Sequence, residues 1–246
     1  MENYPVLTAE IIDSNHDNTS VLSGNNNNTS TSDSYYDYSY KLIIIGNSGT
    51  GKSSLIKSAV SSEFNNDYQT TIAFEYSSMM IKVNNDKTYK LQIWDTCGQE
   101  IYRSLISNFY RNASLAVLLY SINDMKSFEA LDEWVNDLRE KASSDILIFL
   151  VGNKSDLEDE RVIEFEQGKQ YSKNKNLHFF AETSAKIRNN AKDIFIEPAK
   201  QLHLASIGKS NNASMSGYEN NEIGNINNNS TLKEPFPQNN KNKKCC

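Results

Sequence analysis

Between about residues 38 and 203, short apolar runs alternate with segments whose apolar residues recur at helical spacing. Lys41–Ile45 is a compact β-branched run ahead of a Gly-rich turn, which predicts a buried strand. Ser53–Ser61 then reads as a helix. Thr71–Val83 and Lys87–Asp95 read as two strands joined by a turn at Asn84-Asn85-Asp86. Leu115–Tyr120 and Ile146–Val151 are continuous apolar runs of the kind covered on both faces. Between them Phe128, Leu131, Trp134, Val135 and Leu138 fall on one helical stripe. Asn176–Ala181 is a sixth strand, and Asn190–Leu202 a last helix that Pro198 is expected to kink or end. Strands alternating with helices predict a mostly parallel sheet with helices on both faces. Ligands of such sheets lie at the carboxyl ends of the strands, so the residues after each strand carry the chemistry.

The two ends of the 246-residue chain are different in kind. Residues 1–37 and 204–246 are rich in Asn, Ser and Thr, with the runs Asn25–Asn28 and Asn227–Asn229. Such tracts bury too little apolar surface to offset the entropy of ordering, and both are expected to be disordered. The reading is therefore a disordered extension (1–37), one globular domain (38–203) and a disordered tail (204–246). A net charge of −6 argues against nucleic-acid binding. No apolar run approaches the roughly 18 residues of a membrane-spanning helix. The three cysteines, Cys97, Cys245 and Cys246, form no disulfide framework and fit a reducing compartment.

The first strand is followed by Gly46-Asn47-Ser48-Gly49-Thr50-Gly51-Lys52-Ser53, a G-x-x-x-x-G-K-S loop. Its glycines let backbone N–H groups turn around phosphate oxygens, and the next helix adds its positive end. Lys52 supplies a point charge for the β- and γ-phosphates, and the Ser53 hydroxyl can ligate Mg²⁺. The third strand ends in Trp94-Asp95-Thr96-Cys97-Gly98-Gln99-Glu100, where Asp95 is placed to hold Mg²⁺ and Gln99 to orient a water. The fifth strand is followed by Asn153-Lys154-Ser155-Asp156, whose carboxylate can accept two hydrogen bonds from guanine N1 and N2. After the sixth comes Glu182-Thr183-Ser184-Ala185-Lys186, where the small Ala185 lets a backbone N–H reach guanine O6. Each loop alone has a plainer reading as a polar turn; strand before and helix after disfavour that for the first.

These four loops, in this order, resemble the Ras superfamily of small GTPases over about residues 39–203. Within it the chain is most similar to the Rabs, through Thr71–Tyr76, Lys90–Asp95, Phe109-Tyr110-Arg111 and the terminal Cys245-Cys246. The resemblance implies a P-loop α/β fold with a six-stranded sheet, GTP or GDP with Mg²⁺ as ligands, and slow hydrolysis hastened by an activating protein. It further implies that Ser54 contacts the α-phosphate, Phe64 packs on the base, Lys154 lays its stem on guanine, Thr71 joins Ser53 and Asp95 at Mg²⁺, and Gly98 senses the γ-phosphate with Thr71. Departures surround these groups. Asn47 stands for an acidic residue, with little effect expected; Ala73 for Gly, Cys97 for Ala, Ile101 for Arg, Asn112 for Gly and Ser121 for Asp. Ser48 is expected beside the γ-phosphate, crowding it.

The resemblance also implies partners: an exchange factor, an activating protein, effectors and the prenylation machinery. Tyr76, Trp94 and Phe109 would form the effector patch, against the alternative that these rings pack internally. Cys245 and Cys246 would accept two geranylgeranyl groups, and two chains suffice for stable anchoring where one does not. Lys241, Lys243 and Lys244 would favour an anionic leaflet. The expected location is the cytoplasmic face of an intracellular or plasma membrane, with a cytosolic pool. Two other readings stand beside this one: a nucleotide-bound adaptor that hydrolyses GTP negligibly, and a P-loop ATPase or nucleotide kinase, against which Asn153–Asp156 argues.

Overall fold

The computed structural model describes residues 7–17, 35–61, 74–96, 103–188 and 190–214. Phe64, Thr71, Ala73, Cys97, Gly98, Gln99, Ile101, Cys245 and Cys246 lie outside the described residues. Among the described residues, seven strands form one sheet: β1 (Ala9–Asp17), β2 (Tyr38–Ile45), β3 (Glu75–Val83), β4 (Lys87–Asp95), β5 (Leu115–Ser121), β6 (Leu147–Asn153) and β7 (Phe179–Glu182). Their order is β1-β3-β4-β2-β5-β6-β7. Pairings from β4 through β7 are parallel, whereas β1–β3 and β3–β4 are antiparallel.

The helices are α1 (Lys52–Val60), α2 (Arg103–Tyr110), α3 (Met125–Glu129), α4 (Leu131–Lys141), α5 (Phe165–Asn174) and α6 (Asp193–Ser214). Alternate residues of the central strands serve opposite faces, as the pleat requires. Leu42 and Ile44 of β2 pack with Leu55 and Ile56 of α1 and Ile194 and Phe195 of α6. Ile43 and Ile45 pack with Ile106 and Tyr110 of α2 and Trp134 and Leu138 of α4. The expected helices on both faces of a largely parallel sheet are present.

Two expectations need correction. The sheet has seven strands rather than six, because Ala9–Asp17, within the segment expected to be disordered, adds to the outer edge of β3. Its polar composition hid it, yet Ala9 and Ile11 pack against the core and its backbone completes an edge ladder. Second, α6 continues past residue 203 to Ser214, beyond the expected domain end. Of the two outcomes expected at Pro198, a kink or an end, the helix does not end there: Pro198 lies inside α6. It stands in the second turn, where one intrahelical bond is lost and the apolar residues Ile194, Phe195, Ala199 and Leu202 still hold the helix on the sheet. Helix α5 was not legible in the sequence because its buried positions include the small residues Gly168 and Ser172, which carry no apolar period.

Candidate nucleotide-binding site

The site gathers where β2, β4 and β6 end. β2 runs into the Gly46–Ser53 loop, and the chain reverses there through left-handed glycines, Gly46 (φ 139°), Gly49 (φ 80°) and Gly51 (φ 89°). A side chain at Gly46 would put its Cβ 2.2 Å from the Leu119 carbonyl oxygen, so the loop passes β5 closer than any other residue permits. Gly51 caps α1 in a left-handed conformation and, as a glycine, brings no side-chain cap of its own. Such groups face anions when a helix opens on a ligand.

Lys52 is almost wholly buried, and its ammonium donates to the carbonyls of Gly46 (2.8 Å) and Asn47 (3.0 Å). The loop thus curls around its own cation. Asn47 takes a role that its position alone did not suggest: its Oδ1 accepts from Trp134 Nε1 at 2.8 Å, tying the loop to α4. Thr50 closes the turn by donating from Oγ1 to the Asn47 carbonyl at 2.9 Å. Ser48 and Gly49 are exposed at the mouth, while Ser53 and Ser54 are half-buried at the start of α1.

β4 pairs with β2 and delivers Asp95 to this loop, opposite Ile44. The Ser53 hydroxyl donates to Asp95 Oδ2. Burial pushes the Asp95 carboxyl up to about 6, against the pull of the Ser53 hydrogen bond and the Lys52 charge. Its other oxygen, Oδ1, is enclosed and has no hydrogen-bond partner among the described residues. An enclosed carboxylate oxygen without a donor, beside a serine hydroxyl, fits a divalent cation with hard oxygen ligands. Thr96, next along, is fully buried and donates from Oγ1 to the Ile44 carbonyl at 2.7 Å, fixing the end of β4 on β2.

The third loop follows β6. Asn153 is buried and donates from Nδ2 to the Thr50 carbonyl at 2.8 Å, so the loop after β6 is held on the loop after β2. Lys154 takes a left-handed conformation (φ 66°), which turns the chain out of β6. Ser155 N–H then donates to the Thr183 carbonyl at 3.0 Å, and Thr183 N–H to the Gly152 carbonyl at 2.8 Å. These bonds bring Ser184, Ala185 and Lys186 alongside. The Ser184 hydroxyl donates to Asp156 Oδ1 at 2.5 Å and Lys186 Nζ lies 4.0 Å from Asp156 Oδ2. The carboxylate is therefore aimed before any ligand arrives. Ala185 is buried, as a backbone donor behind a flat base requires.

Tyr76, Trp94 and Phe109 do come together, on the sheet face that carries α2. Tyr76 and Trp94 are cross-strand partners with ring centroids 5.3 Å apart, and Trp94 and Phe109 stand at 5.5 Å. Phe74 stacks on Phe109 at 3.9 Å, and Lys41 Nζ lies 5.4 Å from the Trp94 ring centre. The rings are half-buried and Trp94 Nε1 is enclosed, so the cluster is part packing and part surface. Phe74 and Lys41 were not legible as members, since only the fold sets them against Phe109.

Comparison with known proteins agrees with this geometry. The sequence pattern of the Ras family matches residues 41–204. The GTP-binding protein YPT1 of Saccharomyces cerevisiae (strain ATCC 204508 / S288c) is 40% identical over 169 residues, covering 69% of this chain and 81% of the relative. The Ras-related protein RABA1b of Arabidopsis thaliana is 38% identical over 196 residues, covering 77% of this chain and 90% of the relative. Both alignments reach far beyond the four loops, and with them the chain belongs to the Ras family, among its Rab small GTPases.

Proposed function

We propose that the protein is a Rab-type switch that binds GTP or GDP with Mg²⁺, hydrolyses GTP slowly, and serves vesicle traffic by recruiting effectors in its GTP state. The observation that carries this is the Asn153–Thr50 tie, which holds the Ser184-oriented Asp156 carboxylate and the Lys52 loop in one rigid cradle. Asp156 recognises guanine because adenine offers it no pair of donors and would leave it unsatisfied. Lys52 and the loop N–H groups hold the phosphates. Ser53 and Asp95 would hold Mg²⁺, with Thr71 from outside the described residues. Bound there by Ser53 and Asp95, such an ion would supply positive charge against the developing charge of the phosphates.

In this reading Gln99 orients the water that attacks the γ-phosphorus, and the bond to the β-phosphate oxygen breaks as GDP leaves. Little else is left for the protein to do chemically, so positioning sets the rate. An activating protein that inserts an Arg would add about 10³–10⁵ in rate. Loss of the γ-phosphate frees Thr71 and Gly98, and partners at Tyr76, Trp94 and Phe109 read that change. An exchange factor would reload the site. Geranylgeranyl groups on Cys245 and Cys246 would hold the protein on the cytoplasmic face of a membrane. No helix among the described residues is long and apolar enough to cross one.

Single-turnover phosphate release from purified protein tests the reading. Release from GTP, faster with an activating protein, and none from ATP is the expected result. Tight guanine-nucleotide binding with no release under any condition would instead establish the adaptor reading, which the Ala73 and Cys97 substitutions motivate.

A further inference from the structure

Three side chains converge on Asn47, the second residue of the phosphate loop. Its carbonyl accepts from Lys52 Nζ at 3.0 Å and from Thr50 Oγ1 at 2.9 Å. Its side-chain Oδ1 accepts from Trp134 Nε1 at 2.8 Å. The first two bonds are internal to the loop, whereas the third comes from α4, 87 positions along the chain. An indole nitrogen can only donate, and Trp134 is fully buried, so its N–H needs an acceptor held in place. Asn47 supplies that acceptor, and α4 in turn fixes Asn47. Because the carbonyl of the same residue holds the Lys52 ammonium, α4 also sets where the phosphate-binding cation lies.

The same face of α4 holds α2. Asp137 follows Trp134 by three positions in the sequence, which puts the two side chains on one side of the helix. Asp137 Oδ2 accepts from Tyr110 Oη at 2.9 Å, and its Oδ1 accepts from Lys141 Nζ. Tyr110 is the last residue of α2, is fully buried, and belongs to the same apolar cluster as Ile106, Trp134 and Leu138. A close-packed cluster passes a displacement on instead of absorbing it. α2 follows the Gly98–Gln99 segment directly in sequence. The helix that this segment leads into is therefore bonded to the helix that fixes Asn47.

We propose that Trp134 is a positioning residue for nucleotide binding, and that α4 couples α2 to the phosphate loop through the bonds Tyr110–Asp137 and Trp134–Asn47. Movement of α2 shifts Asp137 and the turn of α4 that carries Trp134. Asn47 follows, and the carbonyl that holds Lys52 moves with it. Neither Tyr110 nor Asp137 belongs to the four nucleotide loops, so their influence on the nucleotide runs through this helix. The inference rests on the reading of Gly46–Ser53 as the phosphate-holding loop.

Release of a fluorescent GDP from the full chain, with urea unfolding on the same samples, tests it as a double-mutant cycle. Tyr110→Phe keeps the ring, removes the bond to Asp137, and should release GDP about fivefold faster. Trp134→Phe keeps an aromatic ring in the cluster, removes the N–H, and should speed release at least as much. Asn47→Leu breaks the same link from the other side and serves if Trp134→Phe does not fold. With that link already broken, adding Tyr110→Phe should change release by less than about twofold. A structural role alone would lower urea stability without this shared effect on release. The chain has two tryptophans, and Trp134→Phe assigns their indole N–H resonances. The Trp134 resonance should differ between the GDP and GTP-analogue forms. Effects that multiply in the double variant, unchanged release from Tyr110→Phe, or one indole position in both nucleotide forms would overturn the proposal. Failure of the parent to bind guanine nucleotide would instead refute the functional reading. The nucleotide-free protein then decides the coupling, and a Trp134 resonance that Tyr110→Phe leaves unmoved would overturn it.

Discussion

Asn153 Nδ2 donates to the Thr50 carbonyl at 2.8 Å, joining a base-reading loop to a phosphate-holding loop across 103 positions of sequence. Asn153 is therefore a positioning residue in this site as well as part of the N-K-x-D run. Asn153→Ala removes the tie and leaves the Thr50 carbonyl enclosed without this donor. A lost buried hydrogen bond costs about 1–3 kcal/mol, or roughly 5–150-fold in affinity. GTP and GDP affinity should fall together by that factor in a fluorescent-nucleotide titration, because the tie touches neither the γ-phosphate nor the metal ligands. A loss confined to GTP would contradict this account.

Asn47 was expected to matter little as a substitute for an acidic residue. Its bond from Trp134 Nε1 says which substitutions are tolerated. Asn47→Asp keeps an oxygen acceptor and should leave stability nearly unchanged. Asn47→Leu removes the acceptor from a fully buried indole and should cost about 1–3 kcal/mol in urea unfolding.

Two glycines of the phosphate loop should respond differently to Ala. At Gly46 the new Cβ would meet the Leu119 carbonyl oxygen at 2.2 Å, and backbone must move. Gly49 has open space, and only its positive φ is against it, which costs about 1–2 kcal/mol. Thermal unfolding should show Gly46→Ala the more damaging, and only that variant should lose nucleotide binding at room temperature.

Arg161 donates to both carboxylate oxygens of Glu182 at 2.8 Å, with both side chains about nine-tenths enclosed. The carboxylate bonds from Glu182 and Glu158 hold the guanidinium well above its usual range. The pair pins the loop after the Glu158–Glu160 turn to the end of β7, just before Thr183 and Ser184. Arg161→Met would strand the Glu182 charge and should lower stability by about 3 kcal/mol in chemical denaturation. Restoring wild-type stability with the Arg161→Met/Glu182→Met double variant would identify the stranded charge as the cause.

Ser53→Asn replaces the hydroxyl that bonds Asp95 with a bulkier amide. It should weaken Mg²⁺-dependent GTP binding more than GDP binding. Titrations at several Mg²⁺ concentrations measure this, and unchanged GTP affinity would remove Ser53 from the metal site.

What the sequence determined by itself was local. Gly46–Ser53, Asp95, Asn153–Asp156 and Ser184–Lys186 are contiguous runs whose chemistry is carried by residue type and by position after a strand, so they could be read without a fold. The strands β2, β5 and β6 were equally legible, because a buried parallel strand reads as a short apolar run. Tertiary structure decided whatever depends on partners distant in the chain. It brought Thr50 under Asn153, set Trp134 on Asn47, and placed Phe74 on Phe109. It also made a strand of Ala9–Asp17. That segment has little strand propensity of its own and becomes ordered because the β3 edge offers a complete row of backbone partners, a property of the assembled sheet and not of the residues that fill it.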